Sequence, residues 1–431
     1  MNHFKLICLP VEFASREFEA KSVLAYELIK YGWSIVIGQQ WEIFNQLSQF
    51  PPCFVIFKGQ NKLHQTSMAY AKKYGHFIIS IEEEALGMTE EHTLSKSSTK
   101  ELYTLADVIF SQGEFETQFH RKMSSQLIDI KTFGNIRVDL LKKEYRFLFE
   151  DKIDFIRKTY GRFILINTNF ALLNSYMGDF DHILNEHIRS GYTKEDNNSI
   201  QEFYDYYNWT KKCYLEIVKL LEYLVNKWPE INFIIRPHPG EDFEKAKLSY
   251  PKSDNLKIIK EGSHIPWTFA SELLIHTSCT TGLEAEIGGG NSISIVPQEM
   301  WYTKQFLSNK VNQTFNSSEL AINYIESVLS GEFSKIKNKL NDYKFFIENI
   351  DSESAVKNIV NYMNNSKHSS SAVQFNIKPS LPRHDFQIKK CSINYNECKQ
   401  LFNKLYMKEK NLEIKGEPQI FTMADSLFFI K

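Results

Sequence analysis

What this chain lacks narrows it first. Of 431 residues only six are cysteine (Cys8, Cys53, Cys213, Cys279, Cys391 and Cys398), and no two of them stand in a C-x-x-C pair. Scattered thiols give neither a disulfide framework nor a zinc site, and they read as the reduced cysteines of a cytoplasmic protein. There is no surplus of charge of either sign: 51 Lys and Arg against 52 Asp and Glu leave a net −1. A nucleic-acid binder would carry an excess of cations, so nucleic acid is not an expected partner. No stretch of about 18 apolar residues occurs, so no transmembrane helix is expected. The opening MNHFKLICLPVEF has too short an apolar run for a signal peptide, and Pro10 interrupts it. A G-x-x-x-x-G-K-[ST] loop, H-E-x-x-H and an early G-x-G-x-x-G are all missing. With them go the standard phosphate-loop, zinc-protease and dinucleotide signatures.

What is present is a well-stocked interior, 42% hydrophobic and 14% aromatic, with 33 Phe and 21 Tyr. At this length two domains and a tail are the natural division. Over the first 140 residues, apolar runs such as KLICLP, WSIVIG, CFVIFKG and HFIISIEEE alternate with amphipathic helical stretches. That alternation predicts α/β architecture on a mostly parallel sheet. The boundaries read as 1–145 for a first Rossmann-like domain and 146–161 for a charged linking helix. A second Rossmann-like domain then spans 162–365, and a linker with a C-terminal appendage covers 366–431. Residues 171–209, rich in Asn, Asp and Tyr, read as irregular, with the next helix starting near 211. FYDYYNW (203–209) is either core or an acceptor-facing lid.

In open parallel sheets ligands bind beyond the carboxyl ends of strands, so four strand ends deserve chemistry. INFIIRPHPGE stops at Arg236 and His238 between two prolines; held donors in a stiff loop suit a phosphate, and a Pro-rich turn explains them as well. In IHTSCTTGLEAEIGG, His276 and Ser278 leave a strand, and Thr280, Thr281 and Gly282 open a helix whose free amides attract anions. Glu284 there could take ribose hydroxyls or simply complete a capping box. SIEEEALG places Glu82, Glu83 and Glu84 together, where mutual repulsion could raise one for acid–base work or a helix start could solvate all three. ILINTNF ends in Asn167 and Asn169, and Asp179-Phe180-Asp181 is formally a D-x-D triplet, which turn residues explain better.

The pair RPHP and HTSCTTGLEA resembles the donor-binding half of bacterial surface-polysaccharide transferases of the GT-B fold. LPVEFASREFEAKSVLAYELIKYGWSIVIG, EEEALG, SQGEFE, FGNIRVDLL and ILINTNF make the chain similar to surface carbohydrate biosynthesis proteins. These are similar in turn to the retaining β-Kdo transferases of lipopolysaccharide and capsule assembly. The likeness spans about residues 5–360. It implies two Rossmann-like domains facing a central cleft, with a short C-terminal extension. The implied activity is transfer of an ulosonic acid, Kdo or a relative, from a CMP-activated donor to a glycan acceptor. No metal and no cofactor is expected, and a lipid-linked acceptor would bring the protein to the cytoplasmic face of the inner membrane. By the same likeness Arg236, His238, His276, Ser278, Thr280, Thr281, Gly282, Asn167 and Asn169 surround the donor phosphate, and Glu284 meets the ribose. Glu12, Arg16 and Glu17 fall on the acceptor side. Glu83 is favoured as acid or base over Glu82 and Glu84, while Asp179, Asp181 and Asp205 stand as alternatives for a nucleophile, since the strand ILINTNF offers asparagines where related enzymes carry an Asp.

Overall fold

The computed structural model describes residues 5–124, 127–332, 340–351, 353–366, 383–409 and 416–431. The stretch 367–382, read above as part of a linker, lies outside them. Two compact units emerge: Met1–Leu86 with Leu94–Leu140 and Lys344–Lys431, and Gly87–Thr93 with Leu141–Tyr343.

The first unit is built on β1 (Leu6–Val11), β2 (Ser34–Gln39), β3 (Phe54–Phe57), β4 (Phe77–Ile81), β5 (Val108–Ser111) and β6 (Asp129–Thr132). All of these run parallel in the order β2-β1-β3-β4-β5-β6. Strands such as LICLPV are buried along their whole length, as expected where helices cover both faces of a parallel sheet. Cys8, Val36, Val55, Phe57, Ile78 and Ile109 share one apolar core with Leu47, Met68 and Leu102 from the flanking helices.

The second unit carries β7 (Phe163–Asn167), β8 (Asn232–Arg236), β9 (Leu256–Ile258), β10 (Leu273–His276), β11 (Ser292–Ile295) and β12 (Gln313–Phe315). They are again parallel, in the order β12-β11-β10-β7-β8-β9. Counted within the unit this is 6-5-4-1-2-3, the Rossmann order read from its far edge. Ile164, Ile166, Phe233, Ile235 and Ile275 face a core completed by Cys213, Ile217, Leu220 and Leu224 of one long helix.

That helix corrects the sequence reading. It runs Asn197–Lys227, with Asp196 capping the amide of Ser199, and another helix occupies Phe180–Ser190. Phe203, Trp209, Cys213 and Ile217 recur at helical spacing and are buried, so the Asn/Asp/Tyr-rich composition concealed an amphipathic period. FYDYYNW is thus mixed: Phe203 and Trp209 are core, and Tyr204 is exposed.

The end of the chain is no separate appendage. β13 (Ile420–Ala424) and β14 (Leu427–Ile430) form a hairpin, and β14 adds antiparallel to β2 in the first sheet. The join explains Gly38. A Cβ there would stand 2.0 Å from the carbonyl oxygen of Ser426, which accepts the amide of Gln39 at 2.9 Å. The hairpin thereby covers the β2 edge, which would otherwise be an open template for pairing. Such a contact across nearly 400 residues leaves little local signal in the sequence beyond Gly38 itself.

Candidate functional site

In the second sheet the chain leaves β7 toward β8 and leaves β10 toward β11 on the other side. The two connections diverge, so the carboxyl ends of β7 and β10 flank a switch point, where α/β sheets receive ligands. Asn167 ends β7 beside Arg236 of β8. His276 of β10 lies one step beyond the pair Ile166–Ile275, so Arg236, Asn167 and His276 form a row on one face.

Two members of this row already bond to the protein, although Nε of Arg236 meets no partner among the described residues. Arg236 was expected to hold a phosphate. Its Nη1 instead donates to the Glu261 carbonyl at 2.9 Å and its Nη2 to that of Gly262 at 2.7 Å, with the guanidinium 5.2 Å from the Trp267 ring. Burial lowers its pKa to about 10, and Glu261 works the other way, so it remains a cation tying down the loop after β9. His276 is likewise structural. Its Nδ1 accepts the amide of Cys279 at 3.1 Å, so the neutral ring carries its proton on Nε2 and donates to Asn312 Oδ1 at 2.8 Å. Burial drops its pKa to about 4, which keeps it neutral. Asn167 differs: it is 5% exposed, and neither its Oδ1 nor its Nδ2 meets a partner among the described residues.

His276 pins the start of the helix Thr280–Ile287, and Gly282 permits this closeness. A Cβ at Gly282 would stand 1.9 Å from His276 Nε2. Ahead of the helix Ser278 takes a left-handed φ of 56°, costly for a residue with a side chain. Asn309 Nδ2 donates to its Oγ at 2.8 Å, and its own amide donates to Ser294 Oγ at 3.1 Å. No side chain caps the first amides of the helix, those of Thr280 and Thr281, while the Gly282 amide donates to the Cys279 carbonyl at 3.1 Å. The capping box is not formed: Glu284 is buried and lies 2.8 Å from Nε2 of His264. Asn169 Nδ2 bridges to the Thr277 carbonyl at 3.3 Å, joining the two loops of the switch point.

The RPHP loop owes its shape to a residue not singled out above. Glu241 is fully buried, and its carboxylate accepts the amide of His238 at 3.0 Å, that of Phe170 at 3.1 Å and the Thr168 hydroxyl at 2.5 Å. Burial raises its pKa, and these hydrogen bonds offset part of the rise. The Gly240 amide donates to His238 Nδ1 at 3.0 Å, so a neutral His238 presents Nε2 as its donor.

The first sheet has its own switch point, between β1 and β3, and it is filled with charge. Lys58, directly after β3, is 2% exposed and reaches Glu12 at 2.6 Å, Glu84 at 2.9 Å and Glu17 at 3.3 Å. Lys21 meets Glu17 at 2.9 Å, Glu83 at 3.3 Å and the Pro10 carbonyl at 2.6 Å. Arg16 adds Glu84 at 3.3 Å, and Lys390 of the C-terminal segment adds Glu12 at 2.5 Å. Burial would discharge Lys58, but Glu12, Glu17 and Glu84 outweigh it and hold its pKa well above the lysine range. Burial also works against Glu12, yet Lys58 and Lys390 bring it down to about 2. Around Glu84 the enclosing protein raises the pKa, while Arg16 and then Lys58 pull it well below the carboxylate range.

The three neighbouring carboxyls therefore behave differently. Glu83 is buried against Lys21; burial raises its pKa and Lys21 only partly compensates. Glu82 is buried and in no ion pair among the described residues, and burial, followed by repulsion from Glu84 and Glu116, pushes it up to about 8. Of the three, Glu84 alone has an exposed side chain. Asp179 turns out to be a helix cap, accepting the His182 amide at 3.0 Å, and Asp181 is exposed in the first turn behind it. Asp205 accepts from Gln201 at 3.0 Å on the long helix. None of these three lies at a strand end. Among the described residues no group of His, Cys, Asp and Glu could hold a metal ion, and no helix is long and apolar enough to cross a membrane.

No protein-family model and no curated protein matches the chain. Solved structures do. The wall teichoic acid polymerase TagF, in a crystal soaked with CDPG, superposes with a TM-score of 0.52 at 11% identity, over 83% of this chain and 87% of that one. The UDP-GlcNAc 2-epimerase of Methanocaldococcus jannaschii, in complex with UDP-GlcNAc and UDP, gives 0.55 at 14% identity, over 84% of this chain and all of that one. The fold is GT-B.

On this GT-B frame, sequence reasoning overlooked Lys21, Lys58, Lys390 and Glu241. Lys58 had the signal already applied to Arg236, a cation closing the apolar run CFVIFKG. Lys21 stands four residues after Glu17, the spacing of a helical ion pair. Glu241 ends the very stretch quoted for its histidine.

Proposed function

We propose that this chain is a glycosyltransferase that moves an ulosonic acid, Kdo or a relative, from a CMP-activated donor to a cell-surface glycan acceptor, with retention and without a metal ion. The observation that carries the reading is Asn167, whose buried amide is unmet at the switch point of the second sheet, beside an uncapped helix N-terminus. A donor phosphate at that terminus would meet the amides of Thr280 and Thr281, with Nε2 of His238 as a further donor. A single leaving phosphate needs no more charge than these dipoles supply. On the acceptor side Glu84, kept ionised by Arg16 and Lys58, is too weak a base to take a proton and is instead a candidate to orient an acceptor hydroxyl, with Glu12 beside it. The two neighbours' nucleotide-linked ligands support a nucleotide-activated donor. The motif resemblance supports CMP and the ulosonic acid, and a lipid-linked acceptor would place the work at the cytoplasmic membrane face.

Calorimetry with CMP and UDP tests the donor. CMP is expected to bind, and Asn167→Leu to weaken it at least tenfold; binding of UDP without CMP would discard the CMP assignment. The epimerase neighbour favours a second reading, a UDP-sugar epimerase, which would turn over UDP-GlcNAc with no acceptor present. A donor-only assay separates the two.

A further inference from the structure

Among the polar side chains at the carboxyl edge of the first sheet that its ion pairs do not use are His64 and Gln40. His64 lies in the first turn of the helix Lys62–Lys73, where Asn61 Oδ1 accepts its amide at 3.2 Å. The ring lies over Gly59, just after β3: a Cβ there would stand 2.6 Å from its Cδ2. Phe44 meets the ring edge-on at 6.2 Å between centroids. His64 is 8% exposed and its Nδ1 has no partner among the described residues. Gln40 opens the helix Gln40–Gln46 that follows β2; it is 7% exposed and its Oε1 is equally unmet. Gln40 and Phe44 are one helical turn apart and share a face of that helix, and Phe44 is the residue of that face that meets His64.

Folded proteins bond nearly all of their buried polar groups. Two unmet groups from two different helices, at the carboxyl edge of one sheet, mark a place where a ligand supplies the missing bonds. The chemistry of that ligand follows from the surroundings. Burial first, then the charge of Lys58, lower the His64 pKa to about 4, so the ring is neutral. A neutral imidazole and a neutral amide stand beside an ion-pair set with as many carboxylates as cations. Such a site offers donors and acceptors without net charge. It suits hydroxyl groups, whereas the cations a phosphate would need, Lys58, Lys21 and Arg16, are already paired with Glu12, Glu17 and Glu84.

We propose that His64 and Gln40 hydrogen-bond the ring hydroxyls of an uncharged sugar unit of the acceptor, next to Glu12 and Lys58, and so set which acceptor is taken. The proposal rests on the glycosyltransferase reading and makes its acceptor end specific. The full-length protein is titrated with methyl β-D-glucopyranoside, methyl β-D-galactopyranoside and methyl N-acetyl-β-D-glucosaminide, followed by saturation-transfer NMR, and separately with CMP by calorimetry. At least one glycoside is expected to bind, with Gln40→Ala and His64→Ala each weakening it about fivefold or more. His64→Gln, which keeps a donor and an acceptor, should retain most of the affinity, and CMP binding should be unchanged throughout. If His64→Ala does not fold, Gln40→Ala on its separate helix decides. The proposal is overturned if no glycoside binds, if Gln40→Ala leaves the affinity unchanged, or if inorganic phosphate displaces the glycoside. Should CMP bind while no glycoside does, only this proposal falls; should CMP also fail, the donor reading falls with it.

Discussion

The carboxyl edges of the two sheets face the same difficulty, polar side chains gathered where strands end, and they resolve it differently. The first edge spends its groups on one another: Lys21 and Lys58, both nearly sealed from water, each meet two or more glutamates, and Lys390 arrives from the far end of the chain to share Glu12. The second edge ties its one buried cation of the row, Arg236, to main-chain carbonyls and leaves Asn167 unmet. Charges that neutralise each other fix an edge rigidly, because removing any one strands its partners in a poor solvent. An unmet neutral amide is held at a smaller cost and is available to a ligand. Stability should therefore depend strongly on the first edge and nucleotide binding on the second.

The largest expected effect comes from Lys58→Met, which keeps the bulk and deletes the cation. Glu12, Glu17 and Glu84 would then face each other with Lys58 gone, and loss of one partner from a buried ionic set costs about 3–5 kcal/mol. Urea denaturation at pH 7 measures this; a loss below about 1 kcal/mol would break the contrast between the edges.

The next test uses pH. Glu82 rises to about 8 in the folded chain from an ordinary 4.5. A carboxyl raised by folding contributes stability fully present below its unfolded pKa, and that contribution is lost as pH climbs through 8. Glu12, held at about 2, does the reverse: its contribution is present above 4.5 and lost as pH falls through 2. Glu82→Gln should remove the alkaline loss, making the variant more stable than the parent by up to about 4 kcal/mol at pH 8, at roughly 1.4 kcal/mol per pKa unit. The gain should vanish near pH 4, and thermal melts across pH 4–8 read it directly. Gly282→Ala comes third. Its methyl group would press into His276 and Asn312, an overpacking worth about 1–3 kcal/mol, and should also disturb the helix start where the donor phosphate is proposed to sit.

How much of this was legible in the sequence differs between the edges as well. Alternating apolar runs carried the two parallel sheets, and RPHP and HTSCTTGLEA stand where strands β8 and β10 end. What did not show was pairing at long range. Lys390 is one lysine among many until the chain has folded it onto Glu12, and β14 meets β2 only through a contact that leaves Gly38 as its sole trace. The roles within a motif were equally hidden. Arg236 and His276 have the residue types of phosphate ligands, but hydrogen-bond direction assigns them to carbonyls and to a helix start. The long helix from Asn197 was missed because composition was weighed above its period.

The smallest expected change in stability belongs to Asn167→Leu, and it decides between the two edges most sharply. Leucine approximates the shape of asparagine and removes both unmet polar atoms. Because no group among the described residues relies on that amide, nothing there is stranded, and stability should stay level or rise by up to about 1 kcal/mol. The substitution resembles Lys58→Met in kind, a buried polar side chain exchanged for an apolar one, yet the expected signs differ. Binding reverses the ranking. If Asn167 is reserved for a nucleotide, its loss should weaken CMP at least tenfold while the melting curve barely moves, and Lys58→Met, once corrected for its unfolded fraction, should leave CMP affinity within about twofold. A variant at Asn167 that lost stability and kept its nucleotide would mean that the amide is an ordinary core group satisfied by water, and the second edge would then lose its claim to be the donor site.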